Sequence, residues 1–367
     1  MRAMMAHVTA GLLAALLASL LGVLAPIPGN AQSVSAVNSA ASPQTAGPNQ
    51  AIYQYKGPDR LQRLIERARQ EGSVTIYTSL APTEASPLVE AFEKKYGIKV
   101  LLWRGLSDGV VQRTVSEFRS RRHAVDVLET NGPEMEALAR ELVLDTFYSP
   151  MLADLPPAII PRHGLWVPDR LNFFVVAYNP RRFKPEDFPK TYEGFLDSKW
   201  KGRVALEATD AEWMGGVVKH WGEARGMAFF NKLAEMKPDM RKGHILLAQL
   251  IASGEVDVGL TAYYANVASA KRRGSPLEWA PVEPVIARPQ GIGLARHAPH
   301  PHAALLFAEF ILSAEIQAMM SELGRVPASR AVKGEGGPSQ YVMSDPAVVL
   351  DESAKWQGLW DKLFVNK

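Results

Sequence analysis

The chain has 367 residues, with 47% apolar and 22% charged content, a formal charge of +3 and no cysteine. That length exceeds one small core and suits two domains. The small charge gives no electrostatic ground for nucleic-acid binding, and the missing cysteine excludes disulfides, thiolate metal sites, cysteine nucleophiles and a lipid-modified cysteine anchor.

Met1–His7 carries one arginine, Val8–Ala25 is a nearly unbroken run of Ala, Leu, Gly and Val, and a Pro26-Ile-Pro-Gly break leads to small residues at Ala31. Charged, apolar, then small is the order of a secretory signal, expected to be cut near Ala31. The apolar run is also long enough for an uncleaved anchor; the cleaved reading is adopted. An exported chain without cysteine fits a bacterial periplasm. Residues 32–52, beginning with a Ser, Ala, Asn, Pro and Gly run, read as a flexible linker.

From Pro58 the pattern becomes regular. Asp59–Glu71 has helical apolar spacing. Val74–Tyr77, Ile98–Trp103 and Val125–Leu128 read as strands, each followed by a helical stripe, the last helix opening at Pro133. Such alternation predicts a mainly parallel sheet with helical cover. Ligand crevices in such sheets lie outside the carboxyl ends of the strands. Those ends are Ser79, Arg104 and the loop Glu129-Thr130-Asn131. Each precedes a helix amino terminus, which favours anions and oxygen-rich ligands.

Asn172–Asn179 is a strongly β-prone run suited to crossing between two lobes. Arg203–Leu206 is a strand ending in the polar loop Glu207–Trp213, within which Asp210 is the favoured ligand residue. Gly254–Leu260 leads into Tyr263 and Tyr264, where strand gives way to helix. At such a turn both phenols are expected to reach one site. Leu277–Val282 reads as a strand, Val285–Leu294 as a return connection and His302–Met320 as a long helix. Trp356, Trp360, Leu363 and Phe364 share one helical face, so the carboxyl tail is expected to dock. His297, His300 and His302, stiffened by prolines, read as an exposed connector rather than a metal cluster. No nucleophile elbow, zinc-protease helix, Walker loop or dinucleotide fingerprint is present, so no catalytic activity is expected.

The secretory start, the strand–helix units in two lobes, the Tyr263-Tyr264 turn, Arg288-Pro-Gln-Gly-Ile-Gly-Leu294 and Gly324-Arg-Val-Pro-Ala-Ser329 together resemble the extracellular solute-binding proteins of bacterial ABC importers, in their ferric-iron-binding branch. The resemblance runs from about Ser73 to Arg330. It implies the type II periplasmic binding-protein fold: two α/β lobes, each a mainly parallel sheet with helical cover, joined by two hinge strands and closing on a ligand. The implied organisation is residues 53–171 plus 288–340 as lobe 1, 172–287 as lobe 2 and 341–367 as a docking tail. It further implies a monomer that delivers ferric iron, with or without a small anion, to membrane permease subunits. No resident cofactor is required. Tyr263 and Tyr264 fall on the paired-tyrosine metal motif, with Tyr178 and Glu129 as further metal ligands. Ser79, Arg104, Thr130, Asn131 and Asp210 complete the ligand set. The chain lacks the histidine many relatives carry after the first strand, having Thr78-Ser-Leu-Ala-Pro-Thr-Glu84 there, and has Asn131 where they carry glutamate. An organic anion such as a phosphonate or carboxylate is therefore the alternative ligand, and a periplasmic hydrolase the third reading.

Overall fold

The computed structural model describes residues 46–332 and 337–366. The signal sequence read over 1–31 and the first part of the linker, 32–45, lie outside the described residues. In chain order the elements are α1 (Gln50–Tyr53), α2 (Arg60–Glu71), β1 (Ser73–Thr78), α3 (Pro82–Tyr96), β2 (Lys99–Arg104), α4 (Ser107–Arg119), β3 (Val127–Asn131), α5 (Gly132–Arg140) and β4 (Leu144–Asp145). Next come β5 (Val167–Tyr178), β6 (Val204–Glu207), α6 (Ala211–Trp221), α7 (Glu223–Glu235), β7 (Asp239–Arg241), α8 (His244–Ser253), β8 (Val258–Tyr263), α9 (Tyr264–Arg272) and β9 (Glu278–Ala280). The chain ends with β10 (Ile286–Ala295), α10 (Pro301–Leu312), α11 (Ala314–Glu322), β11 (Val326–Pro327), β12 (Val342–Met343), α12 (Pro346–Asp351) and α13 (Ser353–Trp360). One π-helical turn, Asp361–Val365, extends α13.

The strands run β2-β1-β3-β10-β5-β8-β6-β7. At one end β1 pairs parallel with β2 and β3, and at the other β6 pairs parallel with β7 and β8. Between them β10 and β5 run antiparallel to each other and to their outer neighbours. These are the two hinge strands. Residues 290–294 of β10 pair with lobe 1 through β3, while residues 174–178 of β5 pair with lobe 2 through β8.

Every residue of β5 and β10 is buried. Strands buried on both faces normally read as continuous apolar runs. The β5 segment does, over Asn172–Tyr178. The β10 segment does not, because Arg288, Pro289, Gln290 and two glycines interrupt it, so the sequence reads it as a connection. Gly291 is required by close approach: a Cβ there would lie 2.4 Å from the Trp166 ring and 2.8 Å from the Val167 carbonyl oxygen.

Lobe 1 is built around Val74, Ile76, Phe92, Val127, Leu138 and Phe307. Lobe 2 has two apolar layers, one with Phe174, Val204, Trp213 and Phe230, the other with Phe173, Leu247, Val267 and Ala287. Residues 46–52, read as part of the linker, instead lie on lobe 1. The Gly47 N–H donates to Asp145 Oδ2 at 3.1 Å and the Asn49 amide to the Ala298 carbonyl at 3.0 Å. Next to them the buried Tyr53 hydroxyl donates to the Ala295 carbonyl at 3.0 Å. His300 and His302 each meet a separate carboxylate, Asp126 and Glu71. Both carboxylates also accept backbone N–H groups at the start of α10, which supplies its amino-terminal caps. Among the described residues no single helix is long and apolar enough to cross a membrane.

A buried ionic group lies under the lobe 1 strand ends. The Arg170 guanidinium pairs with Glu129 and, at 2.7 Å, with Asp169, all three almost wholly buried. Burial, opposed by Arg170 and reinforced by Glu129, pushes the Asp169 carboxyl up to about 7. The unfolded chain releases that proton near pH 4. The folded state therefore holds a proton the unfolded state lacks between these values. The resulting stabilisation is complete below the unfolded pKa and is lost as pH rises through about 7. Melting temperature is expected to be higher at pH 5.5 than at pH 8, with Asp169→Asn flattening the difference.

Candidate ligand cleft

Tyr263 is the last residue of β8 and the N-cap position of α9. It lies across from Phe174 in the β5–β8 register, and the two rings meet at 5.3 Å. The His244 ring, at the first position of α8, stacks on the phenol at 3.3 Å between centroids. Arg288 reaches the same point from the hinge strand β10. Its Nη1 donates to Tyr263 Oη at 2.7 Å, and its Nη2 pairs with Glu212 Oε2 at 3.0 Å. Asp210 and Glu212 flank the start of α6, where the helix amino terminus favours carboxylates. Asp210 Oδ1 lies 3.2 Å from His244 Nε2.

Glu207, Asp210 and His244 bring potential metal-ligand atoms within 4.8 Å of one another. Glu207 is the least free of the three, since it accepts the Thr209 and Gly243 N–H groups at 2.6 and 2.8 Å. Unspent capacity lies elsewhere in the cleft. Glu134 Oε2, Asp210 Oδ2, Asn172 Nδ2 and Arg288 Nε are buried without a hydrogen-bond partner. Such groups carry a desolvation cost that a suitable ligand relieves.

The electrostatics follow from burial. Burial pushes the Tyr263 phenol well above its ordinary value, with Arg288 pulling the other way. Burial likewise raises Glu134, opposed by Arg288, and Asp210, opposed by His244. One guanidinium thus stands among a phenol and three carboxyl groups, Glu212, Glu134 and Asp210.

On the lobe 1 side the strand ends approach the same hinge strand. The Thr130 hydroxyl donates to Ser79 Oγ at 3.0 Å, and the Asn131 amide donates to Ser107 Oγ at 2.7 Å. Gln290, on the same face of β10 as Arg288, donates to Asn131 Oδ1 at 2.7 Å. The hinge strand therefore joins the lobe 1 loops to the Tyr263 cluster. Arg104 is exposed and its Nε donates to the Leu80 carbonyl at 3.2 Å, which ties it beside the end of β1.

Three expected metal ligands are placed elsewhere. Tyr264 packs edge-on to Phe173 and Trp279. Phe173 and Phe174 are neighbours in a strand and point to opposite faces, so Tyr264 and Tyr263 lie on opposite sides of the sheet. The two rings thus pack apart, whereas the sequence reading has both phenols meeting one ligand. Tyr178 pairs with Val258 at the far end of β8 and packs tilted against Phe188 at 4.5 Å between ring centroids. Four residues from Phe174, it is roughly 14 Å along the strand from the cleft. Glu129 is buried beneath the strand end, bound to Arg170 and the Thr78 hydroxyl. Tyr263 and Asp210, by contrast, lie in one cluster. Glu134 and His244 were missed; the signal available was their position, His244 opening α8 after Gly243 and Glu134 standing in the first turn of α5.

Three comparisons bear on this cleft. A family model described as "Bacterial extracellular solute-binding protein" matches residues 87–348. The chain is 25% identical over 295 residues to "Iron uptake protein A1" of Synechocystis sp., covering 73% of this chain and 80% of that one. It is 26% identical over 290 residues to a "Putative 2-aminoethylphosphonate-binding periplasmic protein" of Salmonella typhimurium, covering 76% and 82%. Iron-bound HitA from Pseudomonas aeruginosa superposes with a TM-score of 0.69 at 21% identity, covering 79% of this chain and 99% of that one. The two lobes, the paired hinge strands and a family match over most of the chain agree: this chain belongs to the bacterial extracellular solute-binding proteins.

Proposed function

We propose that the chain is the periplasmic receptor of an ABC importer, capturing ferric iron between its lobes and presenting the closed form to membrane permease subunits. One observation carries the ligand: the Arg288 guanidinium holds Tyr263 Oη and Glu212 together by direct contacts, with the buried Asp210 and Glu134 carboxyls near enough to act on its charge. Hard oxygen donors suit a hard, highly charged cation. A phenol raised by burial gives up its proton only to such a charge. Closure would bring Ser79, Thr130 and the amino termini of α4 and α5 over the bound ion. The iron-uptake relative and the iron-bound HitA support this ligand.

The test is titration of the mature protein with ferric citrate. A visible tyrosinate-to-iron absorption is expected, and Tyr263→Phe should remove it. Tyr263→Phe should also lower affinity by more than the roughly 10–100-fold cost of outer-shell changes. Tyr264→Phe, which keeps the ring packed on Phe173 and Trp279, should leave both unchanged. Absence of the band in the parent protein sinks the iron reading.

A small organic anion is the second reading, favoured by the free donors Arg288 Nε and Asn172 Nδ2 and by the Salmonella relative. Glu134 and Asp210 would then suit an amino group on the same ligand. Calorimetry with 2-aminoethylphosphonate tests it. In either case the role is binding rather than turnover, as in the family as a whole.

A further inference from the structure

The carboxyl segment after residue 341 touches both lobes in turn. β12 first adds to hinge strand β10, where the Val342 N–H donates to the Val285 carbonyl and the Ser344 N–H to the Ala287 carbonyl, both at 2.8 Å. The Ser344 hydroxyl then donates to Glu212 Oε1 at 2.9 Å, the carboxylate that holds Arg288 in the cleft. α12 next lies on α5 of lobe 1. Pro346 sits so close that a Cβ on Gly132 would be 2.8 Å from its ring. α13 finally returns to lobe 2, burying Trp356, Trp360 and Phe364 beside α6 and α7. The adjacent acids Asp351 and Glu352 divide between the lobes: Asp351 pairs with Arg140 of α5, and Glu352 with Lys219 of α6 at 2.9 Å.

The two attachments differ in strength. Three buried aromatics, the side chains with the largest apolar area to bury, hold the lobe 2 end. No residue of α12 is fully buried. The Asp351–Arg140 pair is exposed, and such pairs add little. The lobe 1 end is therefore the one that gives way when the lobes move.

We infer that residues 342–365 form a third connection between the lobes, anchored on lobe 2 and clasped to lobe 1 by Asp351. This connection limits how far the lobes separate, and through Ser344 it positions Glu212 in the cleft. The first part is independent of which ligand binds; the second rests on the iron reading.

The absence of cysteine makes the test direct. Spin labels on Lys94→Cys of α3 and Lys232→Cys of α7, both exposed, report the distance between the lobes in ligand-free protein. Asp351→Ala should widen the distance distribution, raising the population outside the parent range about threefold. Asp351→Glu should restore the parent distribution. Melting temperature should scarcely move, since Trp356, Trp360 and Phe364 remain docked. An unchanged distribution in Asp351→Ala overturns the connection. Ser344→Ala should weaken ferric citrate binding about tenfold, with Ser344→Thr restoring it. Equal affinity of Ser344→Ala and parent, in protein that shows the tyrosinate band, overturns the positioning role. Absence of the band in the parent overturns the iron reading on which that role rests and leaves the distance measurement to decide the connection.

Discussion

Arg288→Met should separate the two ligand classes by moving their affinities in opposite directions. The guanidinium now pairs with Glu212, hydrogen-bonds Tyr263 and acts electrostatically on the Glu134 and Asp210 carboxyls. An organic anion would use that charge as its anchor. Truncating one partner of a buried, hydrogen-bonded charge pair costs about 2–5 kcal/mol, so affinity for 2-aminoethylphosphonate should fall by at least about 30-fold. A metal cation faces the reverse situation. At about 4 Å and an effective dielectric of about 20, two unit charges repel by about 4 kcal/mol. Removing the guanidinium should leave ferric affinity intact or raise it. The ligand-free variant will be less stable, because three buried carboxyl groups lose their shared cation. Ferric iron should recover that stability by binding only the folded form. Thermal melts with and without ferric citrate, alongside calorimetry with the phosphonate, give the comparison. Loss of both affinities would show that Arg288 chiefly orients Tyr263, and would sink the idea that iron takes the place of its charge.

The second large effect lies away from the cleft. Arg170→Met should destabilise the protein by about 3–5 kcal/mol, the usual cost of stranding buried charges. Glu129 and Asp169 are its stranded partners, and neither has access to water. Ligand affinity of the folded fraction should be unaltered. This outcome distinguishes a structural Glu129 from a metal-binding one: if Glu129 were a ligand, freeing it from Arg170 would change affinity for ferric citrate. Replacing Glu129, Asp169 and Arg170 together by apolar residues of similar volume should recover most of the lost stability.

The strand–helix units of lobe 1 were legible because each carries its own periodicity and its own stop. β5 was legible because a doubly buried strand is a continuous apolar run. β10 was not: its proline and glycines answer to packing against Trp166 and Val167, which lie far away in sequence. The cleft was legible only in part. Tyr263 could be found because it ends a strand. The opposite facing of Tyr264 could not, since it depends on which side of the sheet α9 lies. Glu129 looked open at a strand end, yet its guanidinium partner arrives from the hinge strand. The meeting of Glu134, Glu212 and Arg288 involves three separate segments, and no local pattern encodes it.

The placement of β10 and α10 also bears on how the chain reaches its folded state. β3 pairs with β10, and α10 buries ten consecutive residues, Ala303–Leu312, nine of them in the lobe 1 core. Until those late segments are in place, lobe 1 lacks one sheet neighbour and a large part of its interior. Lobe 2 meets the same condition less severely, since most of its core precedes Val285. Lobe 2 should therefore be the first to acquire protection from hydrogen exchange during refolding. Lobe 1 should follow slowly, as expected for contacts so distant in sequence. In that interval the open side of β3 is the edge most exposed to pairing with another chain.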